Sequence, residues 1–104
     1  MKVLDLDAVR AFVLVADLGS FTRAADALDT TQSAVSLKLK RLERHLGRQL
    51  LERTPRGVKL SPEGGAFLAA ARDLLSAHER ALGSLAVERR KLTLGLSEHV
   101  ADAN

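Results

Sequence analysis

The apolar residues at the start of the chain recur at helical spacing. Between residues 5 and 18 they fall on one face of a predicted helix, as Leu6, Val9, Phe12, Val13 and Ala16. Asp5 or Asp7 can cap its start, and Gly19 follows its end. A second, short helix is predicted after Ser20, a favourable N-cap residue. The apolar face of this second helix carries Phe21, Ala24, Ala25 and Leu28.

A third helix is predicted after Thr31, which can cap its start, and Gly47 supplies its end. Its apolar stripe recurs every three or four residues, at Val35, Leu39, Leu42 and Leu46. The opposite face carries small polar residues, basic residues and one leucine: Ser33, Ser36, Leu37, Lys40, Arg41 and Arg44. Gln32 lies in the exposed first turn, where unpaired backbone N–H groups favour an anion. The start of this helix is therefore a predicted contact surface.

The segment after the third helix predicts a two-stranded hairpin, or wing. Residues 50–53 and 58–60 are short strand candidates around a Pro/Gly turn, with Arg56 at its tip. A long helix is then predicted over residues 62–90, with Ser61 as its N-cap. Its narrow apolar stripe is typical of a helix that pairs with another helix: Leu68, Ala71, Leu75, His78, Leu82 and Leu85. The stripe favours self-association over burial within one chain, and both readings stay open.

These elements predict a mainly α fold of three helices and a short two-stranded wing, followed by a long helix whose stripe favours pairing with a second copy. We expect residues 1–60 to form the helix-turn-helix domain and residues 61–90 the linker helix. The alternating residues 92–96 predict one strand without a partner in the chain. Residues 91–104 are therefore expected to be a tail or the start of a further, truncated domain.

Composition narrows the class of protein. Of the 104 residues, 46% are hydrophobic, which suits one folded domain. No apolar run approaches the about 20 residues of a membrane span, and acidic residues stand where an export signal needs its apolar core. We therefore expect a cytoplasmic protein that does not enter a membrane. Without cysteine, and with three scattered histidines, we expect no metal, no cofactor and no catalytic site; Ser20 and Ser61 are expected to be caps rather than nucleophiles.

Positive charge is concentrated in the middle of the chain. The overall net charge is +3, but residues 30–60 hold eight basic side chains against two acidic ones, a net charge of +6. The flanking segments are mildly acidic. This distribution is expected of a surface that binds a polyanion, and on charge alone a solvated basic face explains it as well.

The segment from Phe21 to Lys40 has the spacing of a helix-turn-helix. Ala25 lets the two helices cross closely, Asp29 tolerates the left-handed conformation of a tight turn, and Val35 fills the angle between the helices. The basic third helix and the neighbouring wing strengthen this interpretation.

Several motifs in order extend the pattern from about residue 4 to about residue 75. They are AFV at 11–13, GSFTRAA at 19–25, TQSAVS at 31–36, RLE at 41–43, LG at 46–47, LERT at 51–54 and RGVKLS at 56–61. Through them the chain resembles the N-terminal DNA-binding region of the LysR-type transcriptional regulators. The resemblance implies a winged helix-turn-helix, a dimerising linker helix and a C-terminal domain that binds a small-molecule inducer. This chain is expected to lack nearly all of that last domain.

The resemblance also implies roles for individual residues. Candidates for contact with base edges and phosphates are Thr31, Gln32, Ser33 and Ser36, and Arg53 and Arg56 of the wing are directed at phosphate or the minor groove. Leu37 stands where many family members have arginine, and a thymine-methyl contact is its expected substitute. Lys38 or Lys40 would supply charge nearby.

The expected function is sequence-specific binding of double-stranded DNA by a homodimer, which could assemble further in a full-length protein. The third helix would enter the major groove of an interrupted palindrome, and the wing would touch the flanking backbone or minor groove. The main alternative is a helical module that binds a protein partner through the leucine stripe of residues 68–85. A weaker alternative is a nucleoid protein without sequence preference.

Overall fold

The computed structural model describes residues 3–93, and the side chains of residues 3–85. Three helices come first: α1 (Leu6–Leu18), α2 (Phe21–Ala27) and α3 (Gln32–Leu46). An antiparallel hairpin and a long helix follow: β1 (Leu51–Thr54), β2 (Gly57–Leu60) and α4 (Pro62–Thr93). The predicted fold class, a mainly α winged helix-turn-helix followed by a long helix, is confirmed.

The ends of the first three helices follow local signals in the sequence. The hydroxyls of Ser20 and Thr31 each accept a hydrogen bond of 3.1 Å from the backbone N–H three residues further on. Helices α1 and α3 end at Gly19 and Gly47, whose φ angles of 67° and 68° favour glycine. Asp29, between α2 and α3, has a φ of 56°, so the predicted left-handed turn residue is confirmed.

The core lies where α1, α2 and α3 meet. The largest fully buried side chains are Phe12, Leu50, Val9, Val15 and Val35. Ala24 and Ala25 are buried on α2, where their small side chains allow the neighbouring helices to approach. The apolar faces predicted for α2 and α3 are therefore the buried ones. On α1 the buried face is shifted from the predicted one, because Leu6, Val13 and Ala16 are only half-buried. The buried residues of α1 are Ala8, Val9, Ala11, Phe12 and Val15.

Polar contacts join the end of α3, the wing and the start of α4. Glu43 Oε2 accepts hydrogen bonds from the two successive backbone N–H groups that begin at Leu50, at 2.7 and 3.1 Å. The buried Ser61 hydroxyl donates to the Gln49 carbonyl and accepts from the Gly64 N–H. At Gly64 the backbone of α4 lies so close to Leu50 that a Cβ atom would clash with the Leu50 carbonyl oxygen. These contacts fix the base of the wing and the start of α4 to the same part of the core.

The wing turn is tighter than the sequence predicts. The strands pair from Leu51 opposite Leu60 to Thr54 opposite Gly57, so two residues rather than four form the turn. Thr54 Oγ1 accepts a hydrogen bond from the Arg56 N–H at 3.3 Å, and Gly57 has a φ of 139° that favours glycine. Because of these two features, Thr54 and Gly57 pair as the last residues of the two strands, and only Pro55 and Arg56 form the turn.

The first part of α4 packs on the domain. Ala71 is wholly buried, Leu68 and Leu75 pack against the core, and the Phe67 ring centroid lies 5.5 Å from that of Phe12. Because the chain's own core covers Ala71, the prediction that Ala71 pairs with a second copy is corrected. The remaining predicted dimer residues differ in exposure: His78 is half-buried, whereas Leu82 and Leu85 are 56% and 62% exposed.

An ion pair also holds α4 against α1. The Arg72 guanidinium donates to both carboxylate oxygens of Asp17, at 2.6 and 3.2 Å. The hydrogen bond to Asp17 and the negative charge of the Asp17 carboxylate raise the pKa of Arg72. The helix continues to Thr93, so Leu92 and Thr93 are helical and do not begin the predicted strand, because no proline follows Pro62 to end the helix before them. Residues 94–96 of that strand lie outside the described residues. Across residues 3–93, none of the helices combines the length and apolarity needed to cross a membrane.

Candidate nucleic-acid interface

The outward face of α3 is polar and basic around one exposed leucine. Of the six side chains predicted to share this face, Ser36 is half-buried. The other five are exposed: Ser33, Leu37, Lys40, Arg41 and Arg44. Leu37 is 49% exposed, a high value for a large apolar side chain in the middle of a helix. The apolar stripe on the other side of α3 fixes this orientation, because Val35, Leu39 and Leu42 are buried.

The first turn of α3 is linked to the start of α2. The Thr22 hydroxyl donates to the Gln32 side-chain oxygen at 3.3 Å. Thr31 Oγ1 accepts the capping hydrogen bond from the Ala34 N–H, so its own proton is free to be donated elsewhere. Gln32 thus has its carbonyl oxygen engaged and its amide N–H groups available at the exposed end of α3.

The wing stands beside this end of α3. Gln32, the start of α2 and the wing turn enclose an open cleft of about 360 Å³. Arg56 lines the cleft from the tip of the wing and is exposed. Among residues 3–85, no hydrogen bond or ion pair of the described structure involves the Arg56 guanidinium. The structure therefore brings Gln32 and Arg56 to one open surface.

Arg53 reaches the same surface from strand β1 but is already engaged. Its Nη2 donates to Ser36 Oγ at 3.0 Å, and its guanidinium carbon lies 4.2 Å from the centroid of the Phe21 ring. Phe21 is buried, as the sequence predicts for a core residue, and it also serves as the platform for this cation–π contact. Sequence reasoning missed this second role and that of Thr22, because both depend on contacts between residues far apart in the chain.

Lys38 lies away from the other candidates. It is half-buried on the side of α3 that faces the start of α1, beside Asp7 and Arg10. A second depression on the same side places Lys38 near Asp5 and His45. The structure therefore groups Lys40, and not Lys38, with the polar face that leads to the wing.

The two acidic residues of the basic segment make other contacts. Glu43 accepts the backbone hydrogen bonds at the base of the wing, and Glu52 lies 3.8 Å from Lys59 on the opposite strand. Neither carboxylate stands among the exposed residues of the first two turns of α3. Among the side chains of residues 3–85, no group of three or more His, Asp or Glu is arranged to hold a metal ion. The face can offer hydrogen-bond donors and positive charge to an extended anion.

Comparison with known proteins identifies the family. Residues 6–65 match the sequence model described as "Bacterial regulatory helix-turn-helix protein, lysR family". Over 101 residues the chain is 44% identical to the HTH-type transcriptional regulator PecT of Dickeya dadantii; this match covers 95% of the chain and 32% of PecT. The chain therefore spans about a third of the length of that relative.

Two solved structures share the fold. One is the BenM DNA-binding domain in complex with catB site 1 DNA, with a TM-score of 0.75 and 41% identity; the match covers 79% of this chain and 92% of that domain. The other is the complex of the CbnR DNA-binding domain with DNA, with a TM-score of 0.77 and 32% identity, covering 84% and 100%. The chain belongs to the lysR family of bacterial regulatory helix-turn-helix proteins and carries its helix-turn-helix DNA-binding domain.

Proposed function

We propose that the chain binds double-stranded DNA in a sequence-specific manner, with α3 in the major groove and the wing on the flanking backbone or minor groove. The observation that carries this proposal is the single open surface on which the start of α3 and the tip of the wing meet. A helix of about 10–12 Å diameter fits the about 12 Å wide major groove. The solved BenM and CbnR domains, which share the fold, are both complexes with DNA.

The exposed residues at the start of α3 supply the chemistry for reading bases. The amide of Gln32 can pair in a bidentate manner with adenine, because its oxygen keeps a second lone pair beside the one that accepts from Thr22. The hydroxyls of Thr31, Ser33 and Ser36 suit base edges or phosphate. Leu37 offers an apolar contact to a thymine methyl group. Lys40 and Arg56 neutralise phosphates on either side, and Lys38 contributes only long-range positive charge.

The exposed part of α4 supports a homodimer. Leu82 and Leu85 lie on one stripe with His78 and present apolar surface to a second copy. Two copies related by a two-fold axis would place their α3 helices about 34 Å apart, or a multiple of that, on an interrupted palindrome. As a bacterial transcriptional regulator that binds DNA, the protein would act in the cytoplasm, at the nucleoid.

The test measures binding of the 104-residue chain to a duplex selected by it from a random pool. We expect Gln32→Ala to weaken binding by about 1–3 kcal/mol and to relax the base preference at one position. Arg56→Ala should weaken binding to all duplexes and lower the slope of log affinity against log salt by about 0.9. Arg80→Ala, which removes an exposed arginine from α4, is the control and should change neither quantity. Wild-type affinity in both Gln32→Ala and Arg56→Ala would overturn the assigned surface.

The second candidate is a helical module that binds a protein through α4, and the exposure of Leu82 and Leu85 favours it. Salt separates the two functions, because DNA binding weakens steeply with salt and an apolar helix interface does not. Competition with unrelated duplex separates specific binding from that of a nucleoid protein without sequence preference.

A further inference from the structure

Arg53 is a single residue that joins three elements of the domain. Its backbone lies in β1, opposite Val58 of β2. Its guanidinium stacks on Phe21 at the start of α2, with 4.2 Å between the guanidinium carbon and the ring centroid. Its Nη2 donates to Ser36 Oγ in α3 at 3.0 Å. The wing is thereby tied to both helices of the helix-turn-helix by one side chain.

These contacts need the shape of arginine and not just its charge. A planar guanidinium can lie flat on an aromatic ring while its edge N–H groups point at a fixed acceptor. A lysine ammonium carries the same charge but has no plane to stack and no fixed fork of donors. The geometry around Arg53 thus requires arginine, whereas either cation can neutralise the charge of a phosphate.

The hydrogen bond from Arg53 also determines whether the Ser36 hydroxyl acts as a donor or an acceptor toward other groups. A serine hydroxyl donates one proton and accepts through its lone pairs. Because Ser36 Oγ accepts from Arg53, its own proton can be donated away from the domain, toward the surface that α3 shares with the wing. Ser36 is then set to meet an acceptor, which in the major groove is N7 or O6 of guanine, N7 of adenine or O4 of thymine.

We propose that Arg53 is a positioning residue, which holds the wing against α2 and α3 and orients the Ser36 hydroxyl as a donor, rather than a residue that neutralises a phosphate. This proposal rests on the DNA-binding function proposed above. Arg56 is its natural counterpart: both arginines belong to the wing and line the same cleft, but Arg56 has no such contacts among residues 3–85.

The first experiment compares charge-conserving and charge-removing variants at the two positions. Binding to the selected duplex is measured over a series of salt concentrations for Arg53→Lys, Arg53→Ala, Arg56→Lys and Arg56→Ala. We expect Arg53→Lys and Arg53→Ala both to weaken specific binding about tenfold, with the salt slope unchanged. Arg56→Lys should bind almost as the unmodified chain does, whereas Arg56→Ala should lower the slope by about 0.9. Wild-type affinity of Arg53→Lys, or a lowered slope in Arg53→Ala, would overturn the positioning role.

The second experiment asks whether Arg53 acts through Ser36. In a double-mutant cycle of Arg53→Lys and Ser36→Ala, we expect the double variant to bind only slightly worse than Ser36→Ala alone. If the two losses multiply as independent effects, the link to Ser36 is wrong. A role in folding alone would lower the thermal unfolding temperature of Arg53→Lys without this coupling in DNA affinity.

The same measurements separate this proposal from the proposed function. If the unmodified chain selects no duplex, both are overturned. If it selects a duplex, and Arg53→Lys retains full affinity while Gln32→Ala loses it, then the function stands and the role of Arg53 fails.

Discussion

Two parts of α4 carry the same apolar stripe and use it differently. In the first part, up to Leu75, the stripe packs on the domain, and Ala71 is wholly buried. In the following part, Leu82 and Leu85 are more than half exposed at the same helical positions. A repeat of leucines at spacings of three and four therefore predicts which face of a helix is apolar. It does not predict whether the same chain or a second copy covers that face.

The largest expected loss of stability comes from disrupting the aromatic pair of Phe12 in α1 and Phe67 in the first part of α4. Phe12 is wholly buried and packs on Phe67, so Phe12→Ala should lower the free energy of unfolding by about 3–5 kcal/mol, through lost apolar burial and the cavity left behind. Chemical denaturation at low protein concentration measures the change. Leu85→Ala, in the exposed part of the stripe, is the control and should stay within about 0.5 kcal/mol. Equal losses in the two variants would erase the distinction between the two parts.

Glycines in the two parts of α4 provide the next comparison. A Cβ atom at Gly64 would clash with the Leu50 carbonyl oxygen, and one at Gly83 would meet nothing within 4 Å. Gly64→Ala should therefore destabilise the fold by about 1–3 kcal/mol, because α4 must move away from the core. Gly83→Ala should instead stabilise α4 by up to about 1 kcal/mol, because alanine is the better helix former. The unfolding temperatures of both variants, read beside that of the unmodified chain, should shift in opposite directions; shifts of the same sign would contradict the close contact at Gly64.

The last comparison concerns self-association, which leaves the fold of each copy unchanged. Replacing both Leu82 and Leu85 by serine should raise the dissociation constant of the proposed dimer at least about tenfold, or about 1.4 kcal/mol, because the exposed apolar surface is removed. Sedimentation over a range of protein concentrations measures the mass. Leu37→Ser, which replaces an exposed leucine on α3, is the matched control and should leave the mass unchanged. A monomer at micromolar concentration for the unmodified chain would refute the dimer itself.

The helix-turn-helix was predictable because its signals are local. The caps at Ser20 and Thr31, the glycines that end α1 and α3, and the turn at Asp29 each act within a few residues. Burial of the predicted faces of α2 and α3 then follows from periodicity, since each of these helices has only one apolar side. Residues 11–16 of α1 are all apolar, so periodicity alone did not identify which of them are buried.

The parts that the sequence did not predict depend on contacts over long distances along the chain. Arg53 meets Ser36 across 17 positions, and Arg72 meets Asp17 across 55. The helical period alone places Lys38 and Lys40 on different sides of α3, but the position of Lys38 beside Asp7 and Arg10 depends on where α1 lies against α3. The tighter wing turn is the exception, because it depends on a local contact, the hydrogen bond from the Arg56 N–H to the Thr54 hydroxyl two residues earlier.

The length of α4 gives its attachment a mechanical consequence. At about 1.5 Å per residue, the 32-residue helix is a rod about 48 Å long. The contacts with the core lie within its first 14 residues and end at Leu75. The 18 residues from there to Thr93 extend over about 27 Å. A tilt of about 10° about Leu75 would therefore displace Thr93 by about 5 Å, so slight repacking where α4 contacts the domain becomes a shift larger than a helix rise of three residues at its far end.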